Sequence, residues 1–165
     1  MQFPSEKDGP VMSDDVKSEA TSVAAAVSTH RLKSLQRGEA SAVGTYRQAM
    51  ERGGSGAASL APLLREHREA ADDLRLRIRS LGGEPDASAG VWGDFTAAFE
   101  GTANLFGSAA ALMALKTGEE HGTRQYEEAL TDETLDVASK EVIRARLLPR
   151  QGEHVAVLEA LLRNR

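Results

Sequence analysis

Two stretches decide how this chain folds: residues 32–50, LKSLQRGEASAVGTYRQAM, and residues 112–130, LMALKTGEEHGTRQYEEAL. Laid over one another 80 positions apart, they match at Leu32/Leu112, Leu35/Leu115, Gly38/Gly118, Glu39/Glu119, Tyr46/Tyr126, Ala49/Ala129 and Met50/Leu130. Steps of three and four between the apolar members are the period of one helix face. Leu63, Leu64 and Leu74 recur in the same way as Leu147, Leu148 and Leu158, 84 positions on. Two copies of one helical hairpin, rather than three or more short units, predict a closed all-α four-helix bundle and not a solenoid.

Outward from these stretches the boundaries follow from helix stops and caps. Residues 1–12 hold two prolines and a glycine without periodicity, so they read as a flexible N-terminal tail, leaving residues 13–165 for the bundle. Ser13 before Asp14 and Asp15 is a suitable cap for a first helix that runs to Arg52, where GGSG stops it. A second helix spans about Ala57 to Leu81 and ends on Gly82-Gly83, with Pro85 barring its resumption. Trp92, Phe95 and Phe99 stand at helical spacing in the long connection to about Gly107, which predicts a separate short helix crossing the bundle. The third helix is expected from about Ser108 to Leu130 and, after a turn at Thr131-Asp132, the fourth to about Leu162, kinked near Pro149 and Gly152.

Composition excludes several functional classes. With no cysteine among 165 residues there is no disulfide, thiolate nucleophile or sulfur-ligated metal, so any ion must use oxygen and imidazole donors. Twenty Lys plus Arg against twenty-five Asp plus Glu leave a charge of -5, which gives a nucleic-acid surface no electrostatic support. No apolar run approaches a membrane span and no basic-then-apolar leader opens the chain, so a cytoplasmic protein without nucleic-acid or membrane partners is expected. The arginines at 65, 68, 75, 77 and 79 alternate with acids and read as a solvated face, and His30 and His121 as surface residues.

Polar residues interrupt the apolar stripes at one depth. Glu39 lies between Leu35 and Val43, Glu119 between Leu115 and Tyr126, His67 between Leu64 and Ala71, and Gln151 with His154 between Leu147 and Leu158. An unpaired charge there would cost several kcal/mol, so partners must converge on each. Two acids and two imidazoles at one level suit a divalent first-row metal, and Tyr46 and Tyr126 could donate hydrogen bonds to the same layer. Glu66, Glu69, Glu120 and Glu153 are close in sequence, but helical phase turns most of them to the flank or to solvent.

The Gly-Glu followed after six residues by Tyr in helices one and three, with the LGGEP ending of helix two, resembles the ferritin-like superfamily. More narrowly, the chain is similar to a bacterial group of four-helix-bundle proteins of unknown function that carry the same LGGEP stop. The resemblance covers residues 32–162. It implies two hairpins joined by a long crossover, each giving one Glu from its first helix and a Glu-x-x-His from its second to a two-metal centre. Glu39 and Glu119 match the single glutamates. Gln151-x-x-His154 keeps the His and replaces the Glu, and His67-x-x-Ala70 keeps neither.

The expectation is therefore a non-catalytic structural or interaction protein, a stress-related one included, with a degenerate metal centre and no cofactor. The alternative is one iron, manganese or zinc ion held by Glu39, His67, Glu119, Gln151 and His154, with weak oxidase or ferroxidase-type activity. A homodimer through the apolar strip Val23–Val27 of helix one is a further expectation.

Overall fold

The computed structural model describes residues 14–51, 57–86 and 93–164, with side chains described for 15–51, 58–86 and 109–164. The expected tail, the Ser13 cap, the GGSG stop and Trp92 lie outside these residues, as do the side chains of Phe95 and Phe99. Among the described residues all regular structure is helical: α1 (Asp14–Glu51), α2 (Ala57–Ser80), α3 (Gly93–Thr131), α4 (Val137–Val142) and α5 (Leu148–Arg163). A π-helical turn, Ile143–Leu147, joins α4 to α5, so these pieces form the fourth rod of a four-helix bundle. No described helix is long and apolar enough to cross a membrane.

Two corrections to the sequence reading concern irregular backbone. The short crossover helix is not separate: α3 is continuous from Gly93, and Gly101 and Gly107 sit within it. A glycine inside a helix costs about 1 kcal/mol, a weakening rather than a stop. The distortion in the fourth rod lies before Pro149 and Gly152, not at them. Pro149 has no N–H to give the carbonyl one turn back, and the preceding turn widens until Leu148 N–H reaches Ile143 O, five residues away.

The LGGEP ending divides its work between two glycines. Gly82 takes φ +77°, the left-handed conformation, and Gly83 N–H closes on Ile78 O at 3.0 Å, capping α2. Gly83 is needed for space, because a Cβ there would lie 2.5 Å from Thr29 Cγ2. Asp86 is then pinned against α1 by Gln36, which exchanges two hydrogen bonds with its backbone, and by Arg37 at 2.7 Å. At the other turn Asp136 caps α4 through Ser139 N–H and takes Arg77 of α2 at 2.5 Å, so one member of the arginine run ties two helices together.

Helix directions follow from the contacts. Glu39 with Tyr126 and Tyr46 with Glu119 run α1 antiparallel to α3. Glu66 with His154, Glu69 with Arg150 and Asp73 with Arg146 run α2 antiparallel to the fourth rod. Between Ser80 and Leu112 the chain passes from one end of the bundle to the other. The apolar core is in two blocks, one around Leu32, Leu74, Ile78, Ile143 and Leu147, the other around Tyr46, Leu60, Leu63, Leu112 and Leu158. Each fully buried Leu or Ile contributes roughly 2 kcal/mol. Between the blocks lies the polar layer.

Candidate metal centre

All five residues expected at the site are buried at that level: Glu39 from α1, His67 from α2, Glu119 from α3, Gln151 and His154 from α5. None is more than 5% exposed. The two tyrosines join them in a crossed pattern. Tyr46 donates to Glu119 Oε1 and Tyr126 donates to Glu39 Oε1, each at 2.5 Å, so each hairpin's tyrosine satisfies the other hairpin's glutamate. Burial, and then the facing carboxylates, push both phenols upward, so they stay protonated donors.

His67 bridges the glutamates, with Nδ1 2.7 Å from Glu39 Oε2 and Nε2 2.9 Å from Glu119 Oε1. Burial alone would lower its pKa, but attraction to Glu39 and the bonds to both carboxylates outweigh it and raise the ring to about 10. His154 lies edge-on to His67, ring centres 4.8 Å apart, with Nδ1 3.3 Å from Glu119 Oε2 and Nε2 2.9 Å from Glu66 Oε2. Burial likewise opposes ionisation of Glu119, yet the bonds from His154 and His67 hold its carboxyl down at about 2. Gln151 Nε2 donates to Glu39 Oε1 at 3.2 Å.

The expected residues are brought together unequally. His67, Glu119 and His154 each present a ligand atom, all three within 4.8 Å of one another. Glu39 stands behind His67, and Gln151 reaches Glu39. Glu66 lies on the flank of α2, in the seam with α5, where it holds His154 from behind. Glu69 and Glu120 do point outward, pairing with Arg65 and Lys116 at the surface, and His30 and His121 are exposed.

Comparison with family models, curated proteins and solved structures finds no match.

The donor set of His67, Glu119 and His154 could hold one ion. Inner nitrogens His67 Nε2 and His154 Nδ1 face the two oxygens of one carboxylate, while the outer nitrogens meet Glu39 and Glu66. A carboxylate behind each imidazole is the usual support of a metal-ligating histidine, because it fixes the tautomer and the ring. At the same level Ala70 offers only a methyl group and Gln151 a neutral amide. One polar atom in the layer is left over. Gln151 Oε1 is buried without a partner among the described residues, which costs about 1–3 kcal/mol.

Proposed function

We propose that this chain is a ferritin-like four-helix bundle whose buried layer holds one divalent metal ion, with His67 Nε2, His154 Nδ1 and the Glu119 carboxylate as ligands. The observation that carries the reading is the two-sided use of each histidine, inner nitrogen toward Glu119 and outer nitrogen on its own carboxylate. Charge supports it as well: three carboxylates, Glu39, Glu66 and Glu119, face two imidazoles, an anionic excess even with both rings protonated. The antiparallel neighbours and the end-to-end connection between Ser80 and Leu112 agree with ferritin-like connectivity.

Two imidazoles and one carboxylate suit iron, manganese or zinc. When bound, the ion supplies Lewis acidity and, for iron or manganese, one-electron chemistry. The chain's own residues do the rest. Glu39 and Glu66 orient the rings, and Tyr46 hydrogen-bonds the Glu119 carboxylate.

A second reading, a metal-free layer in a non-catalytic structural or interaction protein, draws on the His67 bridge. An imidazolium donating to Glu39 and Glu119 closes the network without an ion. Elemental analysis of protein purified without chelator separates the two. One iron, manganese or zinc per chain, lost in a Glu119→Gln, His154→Ala double variant, is the expected result. No metal after incubation with each ion, and no change in melting temperature, would favour the metal-free layer.

A further inference from the structure

At one end of the bundle two turns reach α1 at the same place: Ser28 bonds Thr134 O and Asp136 N–H, and Gly83 packs on Thr29. Helix α1 begins at Asp14, so residues 14–27 run on for roughly 20 Å past these contacts. Every residue from 15 to 24 is exposed. On this free end Val16, Ala20, Val23, Val27 and His30 are spaced four, three, four and three, the seam of a coiled coil, and the three valines are 47%, 62% and 41% exposed. The seam faces away from the core, because the buried Ser28, Leu32 and Leu35 lie roughly 100° or more round the helix from it. Charge is ordered along the same helix. Residues 14–19 hold three acids and one lysine, residues 20–29 no charge at all, and residues 30–37 Arg31, Lys33 and Arg37 with no acid. Asp86 is shared between Lys33 at 3.5 Å and Arg37 at 2.7 Å, so the basic stretch is not neutralised one for one.

We infer that the free end of α1 is a homodimer interface, in which two copies of this chain pair antiparallel along the valine seam. An order of acid, neutral and base is complementary to its own reverse, and a two-fold contact sets each helix against the reverse of its copy. That self-complementarity selects a second copy over a foreign helix. With Val23 against Val27 of the second copy, Ala20 meets His30 and Glu19 comes beside Lys33. Lys17 then lies near Arg31, whose guanidinium is held by Gln125 O and Glu128 of its own chain. A parallel pair would set acids beside acids and bases beside bases. In the antiparallel pair the two bundles extend in opposite directions from the seam and leave it accessible. The seam is short, so the dimer is a reversible one. The inference uses none of the residues of the polar layer and stands apart from the metal reading.

The test is sedimentation equilibrium of the full chain at low salt, with chelator present, across micromolar to millimolar concentrations. A reversible monomer–dimer equilibrium is expected. Val23→Glu with Val27→Glu should weaken it about 100-fold or more, because both exposed valines lose their apolar partner, and should leave the melting temperature of the monomer unchanged. Glu19→Lys and Lys33→Glu should each weaken self-association about tenfold, since each sets like charges face to face. A one-to-one mixture of these two variants restores both opposite-charge contacts in an antiparallel pair, so it should form a mixed dimer within about threefold of the wild-type affinity. A monomer at every concentration, whether its seam stays bare or is covered by the chain's own first residues or by a different protein, would overturn the inference. So would a dimer that the valine substitutions leave intact, or a mixture no tighter than the variants alone. Should the double valine variant not fold, the mixture decides by itself.

Discussion

The two hairpins carry matching first helices and different second helices. Glu39 with Tyr46 and Glu119 with Tyr126 occupy equivalent places, and the tyrosines cross to the opposite glutamates. On the second helices His67 stands opposite Gln151 in the alignment, and Ala70 opposite His154. The consequence is a one-sided layer: Glu119 faces two imidazoles, whereas Glu39 faces one imidazole and an amide. Glutamates equivalent in the repeat are therefore unequal in role, one a candidate ligand and the other a support.

Exchanging each glutamate for its amide is the strongest way to break that comparison. Glu119→Gln leaves two inner imidazole nitrogens facing a partly donating group, with an expected destabilisation of about 3–5 kcal/mol and complete loss of metal. Glu39→Gln should weaken metal binding by about 10–100-fold and retain the one-ion stoichiometry. Equal effects in melting and metal titration would show the layer to be symmetric in function.

The pH dependence of the metal-free protein has two limbs from the same groups. His67 is raised from 6.5 to about 10, so its stabilisation is fully present below pH 6.5 and is lost as pH rises through 10. Glu119 is lowered from 4.5 to about 2, so its stabilisation is present above pH 4.5 and is lost as pH falls toward 2. Denaturant melts in chelator should thus peak between about pH 4.5 and 6.5, and His67→Gln should flatten the alkaline limb.

The tyrosines sharpen the contrast further. Tyr46→Phe and Tyr126→Phe each remove one hydrogen bond to a buried carboxylate, with an expected loss of about 1.5–3 kcal/mol apiece in melting experiments. Only Tyr46→Phe, which acts on Glu119, should also change metal affinity. The smallest effect is expected away from the layer's charges. Gly118→Ala adds a methyl group that meets no neighbour and should raise stability by up to about 1 kcal/mol, read as a higher melting temperature.

How far the sequence could be read depends on what each feature requires. Glu39, His67, Glu119, Gln151 and His154 were legible because helical phase alone places them on apolar stripes, and the matched spacings put them at one depth. Glu66 was not. One residue before His67 it lies about 100° round the helix, and only the packing of α2 against α5 brings it to His154. The connection up to about Gly107 read as separate from the third helix because a lone glycine cannot be told from a stop without knowing what packs around it. Pro149 was visible, but the group it deprives is a carbonyl one turn earlier, so the distortion fell at Ile143–Leu147.

The central claim is that one carboxylate gathers two imidazoles around a single ion. Anomalous diffraction from crystals grown without chelator and soaked in manganese or zinc tests it most directly. The account predicts one peak per chain enclosed by His67 Nε2, His154 Nδ1 and Glu119. A layer without a peak, its histidines still spanning the carboxylates while ions collect on surface acids, would contradict it.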